Sequence, residues 1–401
     1  MNQNRARKGI PAESERVENA LAPLGLDIHV ITSAASYTLG GGSPGGFPAG
    51  KIDVTRLPNL PLSQNSLAGR ALNLLTFYST LIVAGLIRLR RGDIVICMTD
   101  PPLVGIVAAL LANAKGARLI HWVQDIYPET ATRLGFGSPS NIAIRLAMRL
   151  RDWGWRSAHK NVVIGEGMAE WLHSRGVSPT QIRVIQNWAD DDALLPLAPR
   201  DNALRAQWGF SEDHIVIGYS GNLGRAHDAE TMLDAATRLD EEAAEAVRLL
   251  FIGGGAKHAL LQVAVNDDRL ARLIQRRPYR PRAELRQSLS VPDIHWLSLE
   301  PELEGLIVPS KFYGAAAVGR PIIFIGDTQG EVARLISEAR CGASFAKGDA
   351  QGVAEFISAL ARDREMRLRF GENAREYCVS VLSRVDRLQE WRTLVDAACD
   401  G

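Results

Sequence analysis

The chain has no paired cysteine pattern, no long apolar run and no excess charge of either sign, and each shortage closes off a class of function. Its four cysteines, Cys97, Cys341, Cys378 and Cys399, are scattered without CxxC spacing. That usage fits a reducing compartment and offers no zinc site. The longest apolar stretches, residues 74–87 and 103–112, are too short and interrupted to cross a bilayer. Residues 1–9 carry basic side chains with no apolar run behind them, so they do not read as a secretory signal. Lysine and arginine number 46 against 45 acidic residues, which leaves no global charge pointing to nucleic acid. No GxGxxG follows a first strand, which disfavours a nicotinamide enzyme.

What remains is 401 residues, 46% hydrophobic and 23% charged, enough for two soluble domains with a core each. In the first half, residues 11–24 read as a helix and 27–32 as a strand. The glycine-rich segment 36–50 reads as a surface loop, since no helix follows it as a phosphate cradle would need. Residues 51–57 read as an edge strand and 67–89 as a helix closing on Arg88, Arg90 and Arg91. The apolar run 93–98 suits a covered parallel sheet. A further strand, 118–123, delivers the polar cluster 124–129, with Asp125 and Glu129, as a cleft-lining loop does. His121 inside that strand reads as a core histidine. Residues 141–160 mix Ile142, Leu146, Trp153 and Trp155 with Arg145, Arg149, Arg151 and Arg156. Two readings stay open: a basic helix lying on an anionic membrane, or a packed helix whose arginine stems snorkel.

In the second half, Asp190, Asp191 and Asp192 read as a loop and helix cap rather than a metal site. A strand over 214–219 leads into Gly221, Asn222, Gly224, Arg225 and His227, before a helix near Ala229. Glycines between a strand and a helix N-terminus make an anion cradle, to which Arg225 and His227 add charge and hydrogen bonds. A second strand, 247–252, ends in a like loop with Gly254 and Lys257. Residues 273–281 are basic and read as surface loop; residues 350–398 are helical in period.

The most informative stretch is 302–331, ELEGLIVPSKFYGAAAVGRPIIFIGDTQGE. It reads as a polar turn at Pro309, Ser310 and Lys311, a helix over 312–318, a strand over 322–325, and a loop ending on Gly330 and Glu331. PSK, GRP and the final GE, in that order, resemble the donor-site signature of family 4 glycosyltransferases, in the branch that builds bacterial surface polysaccharides. The resemblance extends to 124–129 and to the crossover at 183–192. It implies an α/β GT-B fold, two Rossmann-like doubly wound domains facing a cleft. These would be an acceptor-side domain over 1–188 and a nucleotide-sugar domain over 189–375. A C-terminal helix over 376–401 would cross back through Leu388, Trp391 and Leu394.

The same resemblance implies transfer of a sugar, with retention, from a nucleoside diphosphate sugar to a lipid-linked or saccharide acceptor. UDP is the expected nucleotide, and no metal or other cofactor is called for. The place of work would be the cytoplasm, at the inner face of the membrane if residues 141–160 touch it. Asp125 is expected beside the acceptor. Arg225 and Lys311 are expected on the leaving diphosphate with His227 and Lys257 in support, and Glu331 on donor hydroxyls. Gly221, Asn222, Gly254, Ser310 and Gly330 would shape the donor site.

Two departures accompany it. Only nine mostly polar residues precede Ile10, where the family has an apolar first strand and a glycine turn. This predicts a gap in the first sheet, a natural start further upstream, and a more stable and active protein on extension. The second of the family's two glutamates falls on Gly314, so Glu304 is not expected to form the usual pair. Two other classes stay open: a nucleotide-sugar epimerase on this scaffold, which would turn over donor alone, and a non-catalytic sugar-nucleotide-binding assembly subunit.

Overall fold

The computed structural model describes residues 27–33, 52–58 and 67–400. The expectations for a helix over 11–24, for the loop 36–50 and for the start of the chain lie outside the described residues. Every strand pair is parallel, and the runs that form the central strands are apolar on both faces, as a sheet covered by helices requires.

In the first half, β1 (Ile28–Ser33) pairs with β2 (Ile52–Leu57) as a separate two-stranded sheet. A four-stranded sheet follows, ordered β3 (Ile94–Met98), β4 (Arg118–Val123), β5 (Lys160–Val163) and β6 (Ile182–Val184). In the second half β7 (Ile215–Asn222), β8 (Val247–Gly254) and β9 (Ile274–Arg277) run outward in one direction. Then β10 (Ile294–Ser298), β11 (Ile322–Ile325) and β12 (Gly342–Phe345) run outward in the other. The resulting order, β12-β11-β10-β7-β8-β9, reverses between β7 and β10. The loops leaving those two strands diverge, and the crevice between them is where such sheets bind ligands.

β9 corrects the expectation of a surface loop at 273–281. Its Ile274 is buried and its basic residues decorate the sheet edge, a use of charge that protects an edge strand. Helices lie on both faces of the second sheet, giving one core around Tyr219, Phe251 and Trp296 and another shared with the first half. That shared core joins Trp122, Met168 and Leu172 to Leu303, Leu306 and Phe312. The two halves therefore meet through apolar packing. Helix Arg364–Ser380 runs through position 376 and packs against the second half, with Gly371 backed on Gly319. The chain turns only at 381–383, and helix Arg384–Asp400 then lays Trp391 on Trp122, ring centroids 4.7 Å apart. No helix among the described residues is long and apolar enough to cross a membrane.

Candidate active site

The crevice is built from two glycine loops and one helix start. β7 and β8 pair as far as Gly221 with Gly253 and Asn222 with Gly254, so these glycines are strand ends rather than free loop. The loops beyond are stitched together: the Leu223 N–H donates to the Gly254 carbonyl (2.7 Å), and the Lys257 N–H to that of Leu223 (3.0 Å). Helix Lys311–Ala317 begins opposite, with exposed Ser310 before it. Gly221 has a φ of 125°, and a Cβ there would meet Lys311 Cε at 2.9 Å. Glycine at 221 is what admits the lysine to the crevice.

Lys311 lies over the Tyr219 ring, Nζ 5.0 Å from its centroid, and 3.3 Å from His227 Nε2. Burial pushes its ammonium down to about 8. Among the described residues no carboxylate is paired with it. Lys257, expected on phosphate, is already paired with Glu230 (2.9 Å) and Glu300 (3.2 Å), which also holds Lys347 (2.6 Å). Arg225 is exposed and stacks on Phe136 of the first half, 4.9 Å from the ring centroid.

The expected helix cradle is occupied. Ahead of helix Glu230–Thr237, buried Asp228 accepts from the Thr231 N–H (3.2 Å) and hydroxyl, and Glu230 accepts from the Ala229 N–H (2.9 Å). With carboxylates on those donors, charge for an anion must come from side chains.

Two further placements depart from expectation. Glu331 is buried at the start of helix Glu331–Ala339 with both oxygens engaged. Its Oε2 accepts from the Glu166 N–H (3.0 Å); its Oε1 accepts from Arg334 (2.6 Å) and Gln186 (3.4 Å). Glu331 thus ties the second half to the helix Glu166–Ser174 of the first, and donor hydroxyls would have to displace those bonds. Glu304, set aside from sequence, is the carboxylate left at this helix start. It accepts from the Glu331 N–H (2.9 Å), and a Cβ on Gly330 would collide with it, which explains that glycine. Burial raises its pKa. Gly314 faces Leu289 at 3.3 Å.

On the first half, the Asp125 and Gln124 N–H groups both donate to Thr99 Oγ1 (3.2 Å each). Asp125 forms a backbone bridge with Ile307, and the Ile126 N–H donates to the Leu306 carbonyl (3.0 Å). A cavity beside it is lined by Thr99, His121, Asp125, Tyr127, Arg151 and Trp155. Glu129, the alternative to Asp125, is buried in ion pairs with Arg151 and Arg175. His121 is a core residue, lowered to about 4 by burial.

Comparison with known proteins bears on this geometry. Residues 8–188 match the family described as glycosyl transferase 4-like domain, and 201–377 match glycosyl transferases group 1. The probable glycosyltransferase WbjE of Pseudomonas aeruginosa is 32% identical over 279 residues, 68% of this chain and 67% of that one. The chain belongs to the family 4 type glycosyltransferases. A second relative, the putative colanic acid biosynthesis glycosyl transferase WcaI of Escherichia coli K12, is 27% identical over 56% of this chain and 55% of its own. Among solved structures, Anabaena HepE with UDP and glucose superposes with a TM-score of 0.70 at 16% identity, covering 96% of each chain. Sucrose-phosphate synthase of Thermosynechococcus elongatus gives 0.73 at 18%, covering 96% of this chain and 93% of that one. The fold is therefore GT-B.

Within this glycosyltransferase, Lys311, His227, Gly221 and Gly254 come together at the crevice, with Arg225 and Asn222 exposed at its rim. Asp125 lies on the facing half. Phe136 was not singled out from sequence, and Glu304 was named there only as lacking its usual partner. Phe136 sits between Gly135 and Gly137, both with φ near +90° (85° and 89°), and that pattern of an aromatic between two glycines was the readable signal. For the aspartate run, Asp190 accepts from the Ala193 N–H (3.3 Å) and pairs with Arg384 (2.7 Å), as a loop cap does.

Proposed function

We propose that this chain transfers a sugar from a nucleoside diphosphate sugar, UDP-linked, to a lipid-linked or saccharide hydroxyl in surface polysaccharide assembly. Transfer proceeds with retention at the anomeric carbon and without a metal ion. Lys311 carries the reading: it is a desolvated cation at the topological switch point with no carboxylate among the described residues set against it. Negative charge grows on the diphosphate as the sugar leaves, and a preorganised cation in a dry crevice lowers that barrier. Arg225 adds a second positive group when it leaves Phe136. Support for UDP comes from HepE, whose structures hold UDP and UDP-glucose. An open cavity beside β8 and β9, lined by Gly253, His258, Arg276 and Arg277, is the proposed nucleoside seat. Glu304, in place of Glu331, is the carboxylate proposed for donor hydroxyls. The acceptor hydroxyl would approach from the Asp125 side.

A lipid-linked acceptor is supported by helix Ile142–Ser157, which exposes Ile142, Leu146 and Leu150 beside Arg145 and Arg149. Such a face suits an anionic membrane surface. Only the first half of the helix serves it. Arg151 and Trp155 turn inward, the guanidinium 4.1 Å from the ring centroid, so this part of the helix is packed against the protein.

The test is a thermal-shift screen of UDP, GDP and ADP sugars, followed by transfer of radiolabelled sugar into membrane lipid extract with and without chelator. Lys311→Ala should lower transfer by about 10²–10³-fold, the scale of losing one charge-stabilising donor. Unchanged transfer by that variant, or label changed in the donor and absent from the lipid phase, would sink the reading.

A further inference from the structure

At the bottom of the crevice two nitrogens face each other, Lys311 Nζ and His227 Nε2, 3.3 Å apart. An ammonium has only donors, so the ring nitrogen must accept. The far side of the ring decides whether it can. His227 Nδ1 lies 2.6 Å from the Ser298 carbonyl oxygen at the end of β10, and a carbonyl only accepts. Nδ1 therefore carries the proton, and Nε2 keeps its lone pair. The ring also stands edge-on to Tyr219, centroids 5.8 Å apart, so it cannot turn without losing both contacts. The charges around it point the same way. Burial above all, then Lys311 from helix Lys311–Ala317 and Lys257 from the second glycine loop, push its pKa down to about 3.

We propose that His227 is a positioning residue, a neutral acceptor of fixed tautomer that aims the Lys311 ammonium into the crevice without cancelling its charge. The proposal rests on the reading of Lys311 as the diphosphate-binding cation. A carboxylate at 227 would hold the ammonium more strongly and neutralise it, as Glu230 and Glu300 do to Lys257. A neutral ring leaves the full positive charge for an incoming anion. It also replaces the expected contact of His227 with the diphosphate: a ring whose single N–H is spent on Ser298 has no proton left to donate.

Two amides separate the ring's two bonds. Asparagine at 227 reproduces the N–H facing Ser298 but stops short of Lys311; glutamine places an oxygen where Nε2 stands. UDP is the probe, titrated by calorimetry from pH 6 to 9.5, with thermal unfolding confirming that each variant folds. Native protein should lose affinity as pH rises through about 8, where free Lys311 gives up its proton. His227→Asn should bind UDP about tenfold more weakly at pH 7, the scale of a hydrogen bond to a charged group. Its alkaline fall should move to lower pH. His227→Gln should recover most of the affinity and return the fall to its native position. Native-like binding and pH dependence in His227→Asn overturn the proposal, as does glutamine performing no better than asparagine. Nitrogen NMR of the native protein reads the tautomer directly: protonated Nδ1 is expected, and protonated Nε2 overturns it whatever the variants do. Lys311→Met separates the two claims. If it binds UDP like native protein, the reading of Lys311 fails. If it loses UDP while His227→Asn does not, only the positioning role fails.

Discussion

Burial lowers the Lys311 ammonium to about 8, so the charged lysine opposes folding rather than supporting it. The unfolded chain holds this proton up to a pH of about 10.4. Between pH 8 and that value the unfolded state binds more protons, so stability rises with pH through the window. Below pH 8 the charged lysine costs the fold up to about 3 kcal/mol. Lys311→Met should therefore raise the melting temperature at pH 7, with the gain shrinking toward pH 10, while abolishing the shift produced by UDP. A lysine that merely held the fold together would give the opposite, a lower melting temperature. The Glu331 carboxylate, by contrast, is engaged by the Glu166 N–H, Arg334 and Gln186, and its sequence position beside Gly330 gave no hint of which helix it would cap.

At the scale of elements, the apolar strands were legible because a parallel strand covered on both faces leaves a continuous apolar run. β9 was not, since an edge strand needs only one buried side chain and can be basic elsewhere. Helix Ile142–Ser157 was legible as a helix, but not in which face it buries. Asn141 starts it by accepting from the Ala143 N–H (2.9 Å), and Arg151 pairs inward with Glu129 and Asp152. The outer face is left to Ile142, 81% exposed, and Leu146, 54% exposed. Leu146→Glu should leave unfolding within about 0.5 kcal/mol of native, as exposed substitutions do. Flotation with phosphatidylglycerol vesicles should fall in the variant and, for the native protein, weaken with salt. Equal flotation of the two proteins would remove this face from the membrane.

At the scale of the molecule, three histidines are held neutral: buried His121 and His295 at about 4 and half-buried His227 at about 3. The unfolded chain protonates each near pH 6.5, so their contribution to stability is complete above that pH and is lost as pH falls. With all three engaged the slope approaches about 4 kcal/mol per pH unit. Asp228 and Glu304, whose pKa values burial raises, work in the opposite direction nearer the carboxylate range. The window that isolates the histidines is thus pH 6.5 to 5. Urea unfolding across it should show falling stability; a flat profile would place the histidines in contact with water.

The two halves are joined by a strap, residues 302–308, that hydrogen-bonds to Ile126 and seats Leu303 and Leu306 in the shared core. Gly305, with φ 74°, comes against Gly167, where a Cβ on the latter would meet its Cα at 3.3 Å. The loop around Asp125 and the helix that begins at Lys311 are therefore tied to one segment of backbone.

Sequence alone determined the family, the two-domain α/β plan, and the stretch around Pro309, Ser310 and Lys311 as the place to look, because periodicity and short motifs are local properties. Tertiary structure alone decided which charges there are free. Lys257 and Lys311 read alike as residues in polar loops; one is neutralised by Glu230 at a helix start and by Glu300 from a loop, and the other has no carboxylate against it among the described residues. Glu304 and Glu331 likewise part only in three dimensions: a helix from the opposite half engages the Glu331 carboxylate, while Glu304 accepts from the Glu331 N–H. Pairing between charges distant in sequence is fixed by packing in three dimensions, and that packing leaves no local trace.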